Sequence, residues 1–139
     1  MKTQQQKIAS YIKCEIAKAS LVRLYDQPGH NTVSLLYPED EKNFCEYSTR
    51  SIEFSDKNDE DKTYQEQAAT ITLAGTRDST LNLLSLNQCV FRLTRSTGEQ
   101  VIVGNNEFPV QFFIEESGKP IKTIIKFTHK HPESAKIFV

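Results

Sequence analysis

Few side chains in this sequence have the type and spacing that chemistry requires. His129 and His131 stand two residues apart near the end of the chain, so on a strand both rings point to one face. Such a pair ligates a transition metal when a third donor converges on it. The remaining histidine is His30, and no His-x-His repeat or Glu-rich helix supplies the donor. A solvated strand end is the plainer expectation. The stretch DKNDEDK, residues 56–62, gathers oxygen donors as a calcium loop does. It lacks the glycine at the sixth position and a closing glutamate at the right distance, which leaves a solubilising loop tip. There is no G-x-S-x-G elbow. Cys89 opens an apolar strand, where a thiol serves as a small buried group rather than a nucleophile. The five glycines are isolated at turns and strand ends, so no loop cradles a phosphate. This reading yields no catalytic residue, no metal ligand set and no cofactor.

Composition narrows the classes further. Seventeen basic residues against eighteen acidic ones give a net charge of −1. Nucleic-acid binding draws much of its affinity from a basic excess, so the balance argues against that partner, although Lys119, Lys122, Lys126 and Lys130 leave a local basic strip. No segment has the apolar length of a transmembrane helix. The start, MKTQQQKIASYIKCEIAKAS, carries neither the apolar run nor the cleavage pattern of a signal peptide. Cys14, Cys45 and Cys89 are odd in number and lie in strand-like or apolar settings, as expected of reduced thiols in a cytoplasm. The 139 residues fit one β-rich domain spanning 1–139, with residues 1–7 as a polar N-terminal arm held by a neighbouring subunit. A chain of this length buries roughly two-thirds of its unfolded surface and needs no metal or disulfide staple.

Most of the sequence reads as strands. In KIASYIKCEI the spacing of Ile8, Ile12 and Ile16 suits a helix, and the alternation with Lys13 and Glu15 suits a strand. The β-branched content favours the strand. SLVRLYD and TVSLLYP form a hairpin across Pro28-Gly29. EDEKNFCEYSTR is a polar connection, SIEF a short strand, and TYQEQAATITLAG a longer one with Ala69, Ile71 and Leu73 on its apolar face. RDSTLNLLSLNQ is the helix, capped at Asp78 or Ser79, with Leu81, Leu84 and Leu83 as its stripe. CVFRLTR and QVIVG flank the turn STGE, with Gly98 at a positive φ, and GNNEFP breaks the pairing. VQFFIEE and IKTIIKFTHKH flank SGKP. In the last of these, Ile121, Thr123, Ile125 and Phe127 face one side, and Lys122, Lys126 and Lys130 the other. Short strands spaced by turns, with one short helix, predict a mainly β fold: an antiparallel β-sandwich or small barrel.

The sharpest positive signal is apolar residues on both faces of one strand, at Val101/Ile102 and at Phe112/Phe113. The normally wet side must then be covered, by the helix or by another chain. Val101, Ile102, Phe108, Phe112, Phe113, Ile137, Phe138 and Val139 are therefore the candidate interface, within residues 106–114 and the tail ESAKIFV, together with residues 1–12. The run from TYQEQAATITLAG through LNLLSLNQ and FRLTRSTGEQVIVGNNEFPV to IIKFTHKHP resembles small structural proteins of tailed bacteriophages and prophages of Bacteroidales. The likeness covers residues 63–131 and consists of turn and packing signals. It implies a non-enzymatic virion subunit of the head–tail connector, ring or tail region, made in the bacterial cytoplasm, whose partners are other virion proteins and copies of itself. A stand-alone β-sandwich module for a small partner or carbohydrate is the alternative, and an exposed aromatic platform would favour it. The chain has no Trp and five Tyr.

Overall fold

Period-two patterning dominates the chain, and in the computed structural model, which describes residues 10–58, 64–75 and 78–139, it becomes strand almost throughout. The strands are β1 (Tyr11–Lys18), β2 (Leu24–Tyr25), β3 (Thr32–Leu35), β4 (Cys45–Tyr47), β5 (Thr49–Asn58), β6 (Gln65–Leu73), β7 (Cys89–Arg95), β8 (Gln100–Val103), β9 (Phe113–Ser117), β10 (Lys122–His131) and β11 (Lys136–Phe138). One helix, α1 (Ser79–Ser85), joins β6 to β7. Asp78 caps it, its side chain accepting from the Leu81 amide at 2.7 Å. The fold is mainly β with one short helix, as the patterning predicts.

Two sheets form. A curled seven-stranded sheet runs β2-β3-β11-β8-β7-β1-β4, and a four-stranded antiparallel sheet runs β5-β6-β10-β9. The main core lies between them. Ile16, Phe91, Leu93 and Val103 from the large sheet meet Ala69, Ile71, Ile125 and Phe127 from the small one, with Leu81 and Leu84 of α1 and the side chain of Phe112. Phe91 is central: its ring packs edge-on against Phe112 at 5.4 Å and tilted against Phe127 at 4.8 Å.

The large sheet is buried on its other face too. Cys89 to Leu93 are all buried, as are Cys14 to Ala17. A second, smaller core of Ala19, Val33, Val90 and Ile102 covers that side, with Leu24, Phe44 and Phe138 against it. Neither the helix nor another chain is the cover. The chain's own 19–24 segment, β3, Phe44 and the C-terminal strand close it, and this is why Ile102 is 4% exposed; Val101, 3% exposed, lies on the opposite face of β8, the face of Val103.

Several elements differ from the sequence reading. SLVRLYD is a short 3-10 turn, Ala19–Leu21, and the two-residue β2. The polar stretch after Tyr37 holds a 3-10 helix, Pro38–Asn43, and β4. SIEF belongs to a ten-residue strand that takes in Asp56, Lys57 and Asn58 of the expected acidic tip. Residues 59–62 of that tip, like the expected arm 1–7, lie outside the described residues. Leu83 faces out at 63% exposed, and Ile121 precedes its strand at 70% exposed. The tail, expected at an interface, pairs within the chain: β11 is antiparallel to β8 and parallel to β3. That parallel pair departs from the all-antiparallel expectation.

Two glycines sit at positive φ for different reasons. Gly98, φ +96°, turns β7 into β8 with open space around it. Gly104, φ +88°, also brings its backbone against Val110, whose Cγ2 would lie 2.8 Å from an added Cβ. Gly98→Ala is therefore expected to cost about 1 kcal/mol from backbone strain alone. Gly104→Ala should cost about 2–3 kcal/mol, since overpacking adds to the strain. Urea midpoints of the two variants check this; equal losses would contradict the assigned role of Gly104.

Candidate functional site

Polar chemistry in the fold gathers at two buried places, and two of the exposed apolar side chains flank a third, a sheet edge. The first place is Arg92. Its position on β7 points to the outer face of the large sheet, where it is 3% exposed. Glu15 is its direct cross-strand partner on β1, and the carboxylate is taken bidentately, by Nε at 3.0 Å and by Nη2 at 2.8 Å. Glu41, on the 3-10 helix, accepts Nη1 at 2.7 Å and a second bond from Nη2. The guanidinium lies over the ring of Phe44 at 4.1 Å and over that of Phe138 at 4.9 Å. Its hydrogen bonds to Arg92 hold the Glu41 carboxyl below the usual range. The neighbouring Asp40, 4% exposed, accepts from Arg23 through backbone and side chain at 3.1–3.3 Å. Adjacent acidic residues thus anchor the 3-10 helix to two different segments.

The second place is the polar end of the main core. Asp56, Gln67 and His129 are directly paired across β5, β6 and β10. His129 and His131 are 9% and 5% exposed, so the expectation of a solvated strand end does not hold. Their rings lie 5.7 Å apart. Burial, and then the neighbouring His131, pushes the His129 imidazole down to about 4, and burial also lowers His131. His131 meets Asn105, Asp26 stands behind Asn105, and Lys136 bonds Asp26. Among the described residues, no group of three His, Cys, Asp or Glu side chains is placed to hold a metal ion, and His30 is exposed on a separate loop. Asp56, from the stretch compared with a calcium loop, accepts the Ala135 amide at 2.8 Å. Cys89 is fully buried; its thiol faces the Leu84 carbonyl at 3.2 Å, and burial pushes it up to about 12.

The third place is the free edge of the small sheet. Strand β9 pairs with β10 on one side and ends the sheet on the other. Four of its five residues are exposed. Phe113 opens it at 69% exposed, and Ile121 follows the turn at its far end at 70%. Beside Phe113 on the outer face, Lys126 pairs with Glu115 at 3.0 Å, so the basic strip on β10 is partly neutralised. Of the other sequence-based interface candidates, Val101, Ile102 and Phe112 are buried within the chain. Phe108, Ile137 and Phe138 are half-buried, and Val139 is exposed at 70%. The structure does not bring the eight residues together as one surface.

Sequence reasoning missed Arg92, Glu15, Glu41, Asp26, Asn105 and Lys136. One signal was present: an arginine in the middle of CVFRLTR, at a position whose neighbours two residues away are Val90 and Thr94. The others come from two strands, the 3-10 helix and two loops that no local pattern joins. No helix among the described residues is long and apolar enough to cross a membrane. No protein-family model, curated protein or solved structure matches the chain.

Removing the Arg92 charge leaves Glu15 buried without its partner. Arg92→Met is expected to cost about 3–5 kcal/mol, and adding Glu15→Leu should recover most of that loss. Chemical denaturation of the single and double variants checks it. A single variant within about 1 kcal/mol of the parent chain would contradict the buried pair.

Proposed function

We propose that this chain is a non-enzymatic assembly subunit that works through protein–protein contacts, and that its assembly is the head–tail connector, ring or tail of a tailed-phage particle. The observation that carries the reading is the open β9 edge. An unpaired strand displays a row of backbone donors and acceptors, which natural proteins usually cover, bulge or charge to prevent association. Here the edge is flanked by Phe113 and Ile121, whose exposed side chains gain from being covered. A partner strand added at such an edge takes its affinity from backbone hydrogen bonds, and side chains like these set the register. The resemblance of residues 63–131 to phage structural proteins supplies the kind of assembly, with other virion proteins and copies of this chain as partners, and places synthesis in the bacterial cytoplasm before incorporation into the virion.

A binding module for a small partner is the second reading. The observation that favours it is an open groove of about 620 Å³ lined by Lys18, Arg23, Asn87 and Asn106, among others.

The two readings separate in one experiment. Particles purified from cells that carry the gene should contain the chain in stoichiometric amount. Phe113→Asp combined with Ile121→Asp should lower its incorporation at least tenfold while leaving the far-ultraviolet circular dichroism unchanged. Absence of the parent chain from particles would overturn the assembly reading, and normal incorporation of the double variant would overturn the β9 edge.

A further inference from the structure

The hydrogen bonds at the polar end of the core can be assigned a direction atom by atom. Asn105 Oδ1 accepts from the backbone amides of Glu107 at 2.9 Å and Phe108 at 2.6 Å. Its amide orientation is thereby fixed, and Nδ2 must donate on the other side. One partner there is Asp26 Oδ2 at 2.7 Å; the other is His131 Nε2 at 3.2 Å. His131 Nε2 is then an acceptor. With Nε2 accepting, a neutral imidazole carries its proton on Nδ1, which donates to the Glu133 carbonyl at 2.9 Å; the Glu133 amide also approaches Nδ1, at 3.1 Å, so it is the Asn105 contact that decides the tautomer.

Asp26 and Glu133 both serve Lys136, the first residue of β11. Its ammonium donates to Asp26 Oδ1, to the Gln27 carbonyl at 2.7 Å and to Glu133 Oε1 at 3.0 Å. Glu133 Oε2 accepts the Gly29 amide at 2.6 Å. Lys136 is 6% exposed, so these partners are what permit its burial.

We propose that β11 is an acid-released latch: a proton on His131 removes the acceptor that Asn105 requires, competes with Lys136 for the same two carboxylates, and lets the last strand leave the slot between β3 and β8 while the rest of the sandwich stays folded. Every element packed around His131 bears on this balance. His129 shares its strand, and protonating that ring is unfavourable because its buried Nε2 has no partner. Gln65, across β6, is uncharged. On β5, the Asp56 carboxylate is bonded to the Ala135 amide. Burial disfavours the protonated form and Lys136 adds to that; together they outweigh the Glu133 backbone hydrogen bond and the Asp26 and Glu133 carboxylates, which favour it. The ring of Phe108 closes the remaining side at 5.3 Å.

The sign follows from linkage. The His131 imidazole titrates lower in the closed form than an exposed ring does, so the released form binds more protons. The closed form is fully favoured above about pH 6.5, the ordinary imidazole value. It loses ground as pH falls below that value toward the depressed His131 one. Glu133, lowered mainly by the Gly29 amide, weakens its own contacts only below the carboxylate range. Between about pH 6.5 and 4.5 His131 therefore gains charge while Glu133 keeps its contacts.

Strand β11 is the element that yields. It has three residues and two register pairs on each side, whereas β10 has eight with β6 alone. Short elements with few backbone bonds open at low free energy, ahead of global unfolding. Its departure frees the edges of β3 and β8 and lifts Phe138 from Arg92.

Amide exchange of the labelled full chain, corrected for intrinsic rates, tests the latch. Ile137 and Val139 bond the carbonyls of Asn31 and Val33. From pH 7 to pH 5 their protection should fall at least tenfold while that of Phe91 and Leu93 on β7 is unchanged. In His131→Gln, whose amide oxygen can still accept from Asn105, the fall should shrink below threefold. Loss of β7 and β11 protection together, no loss at β11, or an undiminished loss in His131→Gln would each overturn the proposal. If His131→Gln does not fold, the comparison of β11 with β7 in the unsubstituted chain decides alone.

Discussion

A guanidinium buried on the outer face of a β-sheet governs one half of this structure. Arg92 stands where an antiparallel sheet normally meets water, and burying it requires every donor to be met. Glu15 meets one edge of its fork from the same sheet, and Glu41 meets the other from the 3-10 helix. The two flat faces are covered by Phe44 and Phe138. Three segments far apart in sequence are thus fixed by one side chain: β1, the 38–43 helix with Phe44 directly after it, and the C-terminal strand. Such a group adds little net stability over a well-packed apolar one. What it does supply is a single arrangement, because a planar fork with carboxylates on both sides and rings on both faces tolerates few others.

The apolar second core follows from the same constraint. Once the 3-10 helix and β11 are drawn over the sheet, Ala19, Val33, Val90 and Ile102 are enclosed beneath them. Asn106 secures the 19–24 segment, with Nδ2 donating to the carbonyls of Ala19 and Val22 at 2.7 and 2.9 Å and Oδ1 accepting the Leu24 amide at 2.9 Å. Its neighbour Asn105 organises the polar end of the main core. The short loop after Gly104 therefore ties both cores together. The apolar residues on both faces of β8 are explained within one chain.

The period-two strands and the capped helix were legible because their determinants are local. Alternation in β6 and β10, a carboxylate three residues before Leu81, and a glycine between two β-runs each act over a few residues. The elements that were missed depend on distant partners. Asp40 and Glu41 look like solubilising charges until Arg23 and Arg92 arrive from 17 and 51 residues away. The tail reads as a contact for another chain until Lys136 finds Asp26, 110 residues earlier. The histidine pair was correctly placed on one face, but its burial depends on a strap of chain that follows it. Apolar residues on both faces of a strand correctly signalled a cover, and only the topology could say that the chain folds back to supply it.

The claim on which the rest depends is that this second core is closed by the chain itself and not by a neighbour. Nuclear Overhauser contacts measure it directly, between the methyls of Ala19, Val33, Val90 and Ile102 and the rings of Phe44 and Phe138, in dilute solution with the mass verified by sedimentation. The structure predicts these contacts in a species of one-chain mass, unchanged on further dilution. Contacts that are absent from the single chain, or that appear only as copies associate, would contradict it.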